Sequence, residues 1–319
     1  QGTAISNLAD AVLSQLNNQS GNSGGTATEG LLGFNAYSPT ATAEDKVRLW
    51  GSIFGSNSVT ASTGTTAGFD HSFGGIATGI ETGDAEVDGV WGVLAGYADS
   101  NINIDFNAGG TDTGSVYGGI YWKRARENYS LEAAFIGGLT DNQTVRNITG
   151  GIGQTTADYD GYFFAPSFTV AAPFKIFDRP MIASGRASYV GVHLDGYTET
   201  GTTVPLTVED RDLSVVNLRG ELIVPQEFEE SNGGQTRVNW SVGVDATMDA
   251  GSDSVNAIVA STPFTFDAKT LDTTFAFTGL NVTHTSADGS KSIMLGTHLQ
   301  TDFDGSHQAV AEVRATLRF

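Results

Sequence analysis

The stretch Arg237-Val-Asn-Trp-Ser-Val-Gly-Val-Asp-Ala-Thr-Met-Asp249 sorts its residues into two sets by position. Val238, Trp240, Val242, Val244, Ala246 and Met248 are apolar, whereas Arg237, Asn239, Ser241, Gly243, Asp245 and Asp249 are polar or glycine. A period of two residues is that of a β-strand, whose successive side chains point to opposite faces. The run is about twice as long as the 5–6 residues usual in soluble sheets, and roughly 9–11 residues cross a bilayer at barrel tilt. One wholly apolar face and a membrane-crossing length suit a strand with lipid on one side and water on the other.

The same plan recurs along the chain. Tyr129, Leu131, Ala133, Phe135 and Leu139 alternate with Asn128, Ser130, Glu132 and Thr140, and Val116, Ile120 and Trp122 alternate with Ser115, Tyr117, Tyr121 and Lys123. Strands are predicted at 46–54, 66–79, 87–99, 113–123, 127–140, 157–171, 181–194, 211–223, 235–249, 270–281, 290–301 and 308–319. About twelve is an even number, as single-chain bacterial outer-membrane barrels require. The predicted connections alternate too: Lys123 to Asn128 is tight, whereas Ser100 to Asp112, Asp141 to Thr156, Asp195 to Asp210 and Ala250 to Lys269 are long and polar. Short turns at one end and long loops at the other describe such a barrel. Val224 to Gly234 breaks the pattern, a long connection on the predicted short side. The expected fold is all-β: a 12-stranded antiparallel transmembrane barrel spanning 46–319.

Composition agrees. Among 319 residues there are 41 glycines, 7 prolines and 10% aromatics, and charged residues make up 16%, against about 25% in soluble globular proteins. The 36 acidic and 16 basic residues give a formal net charge of −20, which argues against nucleic acid as a partner. The absence of cysteine removes disulfides and thiolate metal sites. No run of about 18 apolar residues provides a transmembrane helix. The opening residues lack the basic and apolar regions of a signal peptide, so any such peptide is expected to have been removed already.

Ahead of the strands, Ile5, Leu8, Val12, Leu13 and Leu16 fall at helical spacings, predicting an amphipathic helix over 1–17 with Thr3 or Ser6 as cap. Its other face is Asn, Asp, Ser and Gln. Residues 18–45, with Gln19-Ser-Gly-Asn-Ser-Gly-Gly-Thr26, read as a flexible linker. About fifteen helical residues span roughly 22 Å, most of an apolar band about 25 Å tall. The helix thus has the length to plug the pore from within; packing outside the barrel is the alternative.

The last strand places Phe319, Leu317, Ala315, Val313, Ala311 and Ala309 on one face and Arg318, Thr316, Arg314, Glu312 and Gln308 on the other. Together with Val47-Arg-Leu-Trp-Gly-Ser-Ile-Phe-Gly55, Phe73-Gly-Gly-Ile-Ala-Thr-Gly79 and Trp91-Gly-Val-Leu-Ala-Gly-Tyr97, this ending resembles the autotransporter translocator domain of type V secretion over 46–319. The resemblance implies a barrel that anchors and exports an N-terminal passenger in the outer membrane of a Gram-negative bacterium, with a helix in the lumen. It also implies outer-membrane lipids, the barrel-assembly machinery, periplasmic chaperones and its own passenger as partners. A monomer without cofactor is expected, and Leu317 and Phe319 take the place of the assembly signal.

On this register Arg219, Glu221, Arg237, Asp245, Glu312, Arg314 and Arg318 face the lumen, where they either pair among themselves or grip the helix through its Asn and Asp side chains. Asn17-Asn18 invites comparison with family members that release the passenger by asparagine cyclisation, with Asp245 or Glu312 as the acid. Next to Gly21 the pair also reads as an ordinary helix terminator. His71, His193, His284, His298 and His307 have no metal-ligand spacing, and neither GxSxG nor a dinucleotide fingerprint occurs. The acidic run 99–112 does not match a known calcium loop. The alternatives to a translocator are a passive porin or surface-loop adhesion barrel, and an outer-membrane lipid hydrolase. The last needs a serine–histidine pair that the sequence does not place.

Overall fold

The computed structural model describes residues 47–62, 67–84, 88–148, 153–251, 254–259, 261–267, 272–302 and 305–319. The expected helix over 1–17, the linker over 18–45 and Asn17-Asn18 lie outside them. Twelve strands close into one antiparallel barrel: β1 (Val47–Thr60), β2 (Phe69–Asp84), β3 (Gly89–Ile104), β4 (Gly109–Arg126), β5 (Tyr129–Ile148), β6 (Gly153–Ile176), β7 (Arg179–Leu194), β10 (Arg211–Glu229), β11 (Gln235–Asp249), β14 (Thr273–Thr285), β15 (Lys291–Thr301) and β16 (His307–Arg318). Each pairs with its sequence neighbour in the barrel, and β1 closes on β16 with Gly51 opposite Ala315. Four short strands, β8 (Tyr197–Thr198), β9 (Leu206–Val208), β12 (Ser254–Val259) and β13 (Thr262–Asp267), form a separate sheet in the order β13-β12-β9-β8.

The alternation is inside out relative to a soluble protein. On β11, Trp240 is 51% and Val242 55% exposed, whereas Arg237 is 4% and Asp245 9% exposed. The apolar face is turned to the surroundings and the polar face inward, the arrangement that lipid outside and water inside select. Ile76, Ile80, Val93, Val116, Ile120, Phe135, Phe168, Leu295 and Val313 continue the outer band on other strands. Closure gives each barrel strand a paired neighbour on both edges, which is why strands can span here although none of the described helices is long and apolar enough to do so.

Both chain ends of the barrel lie at one rim, where the Phe319 N–H bonds the Val47 carbonyl at 3.2 Å. The tight connections after β4 (127–128) and β6 (177–178) share that rim, so it is the periplasmic one by the rule of short periplasmic turns. Val224 to Gly234 is not an elaborated loop. Strand β10 continues to Glu229 and only Glu230–Gly234 turns, closed by the Glu230 N–H to the Gly234 carbonyl at 2.8 Å.

At the outer rim two expected loops are strand instead. Ser100 to Asp112 is crossed by β3 and β4 up to a short turn at Asp105–Asn107, and Asp141 to Thr156 is largely taken up by β5 and β6. These extensions stand above the apolar band, so polar residues such as Asp112, Gln143 and Asp158 take the outer face while Asn142 and Thr155 are buried on the inner one, and the two-residue hydrophobic signal disappears while the ladder goes on. Cross-strand polar pairs take its place: Thr113 Oγ1 donates to Asn142 Oδ1 at 2.9 Å and Gln143 Nε2 to Asp158 Oδ1 at 3.0 Å. The connections Asp195 to Asp210 and Ala250 to Lys269 carry the four short strands, and these two distant loops pair with each other through Ala257 opposite Val208.

Candidate functional site: the barrel lumen

The lumenal face mixes rings with polar side chains. From β1 to β6, Trp50, Phe54, Leu94, Tyr117, Ile136 and Phe163 are buried in one cluster, and buried serines, threonines and the ionic side chains of Glu81, Lys123 and Glu132 share that side. Glycines on adjacent strands make room for the rings. A Cβ on Gly79 would stand 2.6 Å from the Trp50 indole, and one on Gly92 would collide with the Tyr121 ring. From β10 to β16 charged side chains are more frequent at lumenal positions, with Phe277 and Met294 buried among them.

The predicted lumenal charges are brought into three groups. Arg219 lies 3.3 Å from Asp245 and 3.7 Å from Glu221, with its guanidinium 3.8 Å above the Phe277 ring and a nitrogen 3.4 Å from His298 Nδ1. Arg314 donates to Glu312 at 2.6 Å, the Ser52 hydroxyl donates to the same carboxylate at 2.9 Å, and the guanidinium lies 5.5 Å from the Trp50 ring. Arg237 pairs with Glu227 at 2.9 Å. Arg318 stands opposite Arg48 near the periplasmic rim. Removing one member of a buried pair leaves the other uncompensated, which costs about 3–5 kcal/mol, although the intact pair itself stabilises little.

A further polar chain escaped the sequence reading. The Trp50 indole N–H donates to the Tyr121 hydroxyl at 2.9 Å, Tyr121 donates to Glu81 at 2.9 Å, and Glu81 pairs with Arg48 at 2.7 Å and Lys123 at 3.9 Å. The signal was available for part of it: Lys123 and Glu132 share the polar parity of strands already assigned, and they stand opposite each other on β4 and β5. Arg186, opposite Arg219, and Glu227 follow from the same extension of parity.

Above the membrane, the loop sheet is fastened to the barrel rim. Arg146 at the end of β5 makes two bonds to Glu199, at 2.7 and 2.5 Å, and the Leu206 N–H donates to the same carboxylate at 3.1 Å. Burial opposes ionisation of Glu199, but the Arg146 guanidinium and the Leu206 amide together hold its carboxyl below the usual range. Tyr197 stacks on Tyr159 with ring centroids 4.6 Å apart, and the Arg211 guanidinium lies 5.4 and 5.7 Å from the two rings. Tyr197 also packs against both the lumenal cluster and the small core of Val208, Val255 and Ala257.

Two histidines bear on catalysis. His71 Nε2 is 2.9 Å from Ser100 Oγ, a serine–histidine contact absent from the sequence reading. The ring is 1% exposed and stacks on Phe73. His193 on the outer face has Asp212 at 2.8 Å from Nδ1 and Asp195 at 3.6 Å from Nε2.

Among solved structures, the chain is similar to the translocator domain of the autotransporter NalP from Neisseria meningitidis, with a TM-score of 0.71 at 13% identity over 99% of this chain and 98% of that one. It is also similar to the β-domain of the Bordetella autotransporter BrkA, at a TM-score of 0.62 and 16% identity over 86% and 99%. The transport unit of AIDA-I from Escherichia coli gives 0.53 and 8% over 89% and 93%. At these identities the likeness is one of fold. No curated protein matches the chain. Residues 49–315 match the family model of the autotransporter β-domain, and the chain therefore belongs to that family, whose barrel in the Gram-negative outer membrane exports a passenger to the cell surface and anchors it there.

Proposed function

We propose that the barrel exports its passenger through the lumen and that the predicted helix over 1–17 then stays there as a plug, held at its polar face by the Arg219–Asp245 and Glu312–Arg314 groups. The observation that carries this reading is the width of the barrel. Twelve strands at about 4.8 Å spacing and 35–45° tilt give a radius of roughly 12 Å to the backbone. Inward side chains narrow this to a passage of about 10–12 Å, the diameter of one helix with its side chains. The linker over 18–45 joins the helix to β1 at the periplasmic rim and is long enough to let it enter from there. Asn17 and Asn18 act as the helix terminator in this reading and not as a cleavage site.

Leu317 and Phe319 end β16 on the outer face at the periplasmic rim, where the barrel-assembly machinery meets a nascent barrel, and chaperones and outer-membrane lipids complete the set of partners of a monomer. The domain acts without catalysis: the near-complete burial of His71 keeps substrate from its contact with Ser100, and both ring nitrogens of His193 face carboxylates. The test is single-channel conductance in planar bilayers of the full chain and of a form lacking residues 1–20. Conductance rises on deletion if the helix occupies the lumen. Equal conductance of the two forms refutes the plug.

A further inference from the structure

The outer surface of β2–β6 carries a groove of about 1010 Å³ just above the apolar band, at the upper end of the roughly 300–1,000 Å³ usual for small-molecule sites. The pairing registers fix its height. Ile76, Tyr97, Val116, Leu139 and Tyr162 follow one another across these strands, all exposed, as the last apolar row. Two residues further out the row reads Gly74, Asp99, Gly114, Asp141 and Asp160, and the next one Ser72, Asn101, Asp112, Gln143 and Asp158. The step from lipid chains to headgroups falls at the first of these polar rows, so the groove opens on the headgroup layer of the outer leaflet. Gly114 makes the gap in its middle. Asp99 and Asp141 flank that glycine from the neighbouring strands, about 9–10 Å apart at two strand spacings, and a Cβ on Gly114 would meet the Tyr97 hydroxyl at 3.4 Å and Asp99 Oδ1 at 3.9 Å.

The carboxylates of the groove meet neutral donors. Asp99 Oδ1 accepts from the Tyr97 hydroxyl at 2.6 Å, Asp112 Oδ1 from the Asn101 amide at 2.5 Å and Asp158 Oδ1 from the Gln143 amide at 3.0 Å. Among the described residues no lysine or arginine pairs with them, and no three acidic or histidine side chains converge as metal ligands. Asp141 stands directly opposite Asp160, and like charges in that relation cost stability, a cost that nothing inside the barrel returns. We propose that the groove holds the sugar headgroup of a glycolipid of the outer leaflet, with one ring over Gly114 between Asp99 and Asp141. The chemistry selects the class. A sugar presents hydroxyl donors around its ring, and the second oxygens of these carboxylates accept them as charge-assisted hydrogen bonds. A phosphate brought to the same place meets negative charge without a cation, so anionic phospholipid is turned away. The position selects the source: the groove faces the lipid directly above the row from Ile76 to Tyr162, against which the acyl chains of a glycolipid lie, whereas a free saccharide has no chains to hold it there.

The test uses the full chain refolded into vesicles of phosphatidylcholine that contain equal minor amounts of a dihexosyl diacylglycerol and of phosphatidylglycerol, followed by gentle extraction and native mass spectrometry of the barrel with its retained lipids. The ratio of retained glycolipid to retained phosphatidylglycerol is expected to exceed the vesicle ratio about tenfold, the preference that one charge-assisted hydrogen bond supplies. Gly114→Leu, which fills the gap, and Asp99→Ala combined with Asp141→Ala, which removes the acceptors, should each return the ratio to that of the vesicle. The alanine variant carries the test should the leucine variant fail to give a heat-modifiable barrel. Retention by the unaltered protein at the vesicle ratio overturns the proposal, and so does an enrichment that the variants keep. Enrichment of phosphatidylglycerol that appears with magnesium and vanishes with a chelator places a cation on the carboxylates and overturns the sugar assignment.

Discussion

Replacing Val242 by arginine tests the facing of the whole barrel at one point. The apolar band on β11 runs from Val238 to Met248, which at about 3.3 Å per residue and 40° tilt covers roughly 25 Å of height, the full apolar thickness of an outer-membrane barrel. Val242 stands about 10 Å from the periplasmic edge of that band, near its middle. An arginine there is expected to cost about 2–4 kcal/mol, and at Met248, at the upper edge, about 0–1 kcal/mol. The central variant should therefore lower the folded-to-unfolded ratio roughly 30- to 900-fold. Asn239→Arg, on the lumenal face of the same strand, should be mild because the new side chain stays out of the lipid and lies opposite the Asn281 amide. The assay is urea unfolding of protein refolded into lipid bilayers, read by heat-dependent gel mobility. Equal midpoints for Val242→Arg and Asn239→Arg refute the inside-out alternation from which the strand facing was derived.

Two more outcomes are expected. Because the Glu199 carboxyl is held below its ordinary value, the fastening of the outer sheet is complete above a pH of about 4.3 and is lost as the pH falls through the depressed value. The protection factor of amide hydrogens at residues 197–208, taken relative to the free-peptide exchange rate at each pH, should be unchanged from pH 7 to 5 and fall below that range, whereas Glu199→Gln should be weakly protected at every pH; identical profiles for the two proteins contradict the role of the ion pair. Deleting Phe319 should reduce the amount of barrel inserted in cells far more than it shifts the unfolding midpoint after refolding into detergent, since its ring is 65% exposed at the rim and makes little packing. Normal cellular yield with a lowered midpoint points to a packing residue instead.

The sequence declared the barrel because its evidence is local and repeated: each strand carries its own facing, as in Arg237 to Asp249, and the count follows. The limits of that signal are equally physical. Alternation reports a contrast between an apolar and a polar face, so it fell silent at Ser100 to Asp112 and Asp141 to Thr156, where the outer face of the continuing strands turns polar as well. The pairing of Ala257 with Val208 joins two loops through few residues and left no periodic trace. Charges in the lumen were legible by parity, but their partners were not: Arg237 meets Glu227, a residue read as part of a connection, because the boundary of β10 was set six residues too early. The lumenal rings were hidden for a simpler reason. They share the lumenal parity with serines and threonines, and only the folded sheet shows them settling over glycines of the next strand.

The meeting of the first and last strands also sets a clock. All other neighbours in the barrel are joined by one connection, whereas β1 and β16 are separated by nearly the whole chain, with Leu49 facing Leu317. Bringing ends that far apart together costs a loop entropy of about 5 kcal/mol before any seam hydrogen bond forms, and ladders of such long range are the slow ones to build. Nothing can close until β16 has been synthesised, so the barrel cannot mature on its first eleven strands alone. For as long as the sheet stays open it is a curved ribbon with two bare edges, which must be shielded from other chains. A permuted protein that begins at the Glu127-Asn128 turn and joins the present ends would move that wait from the β1–β16 seam to the β4–β5 seam without altering a single lipid-facing residue.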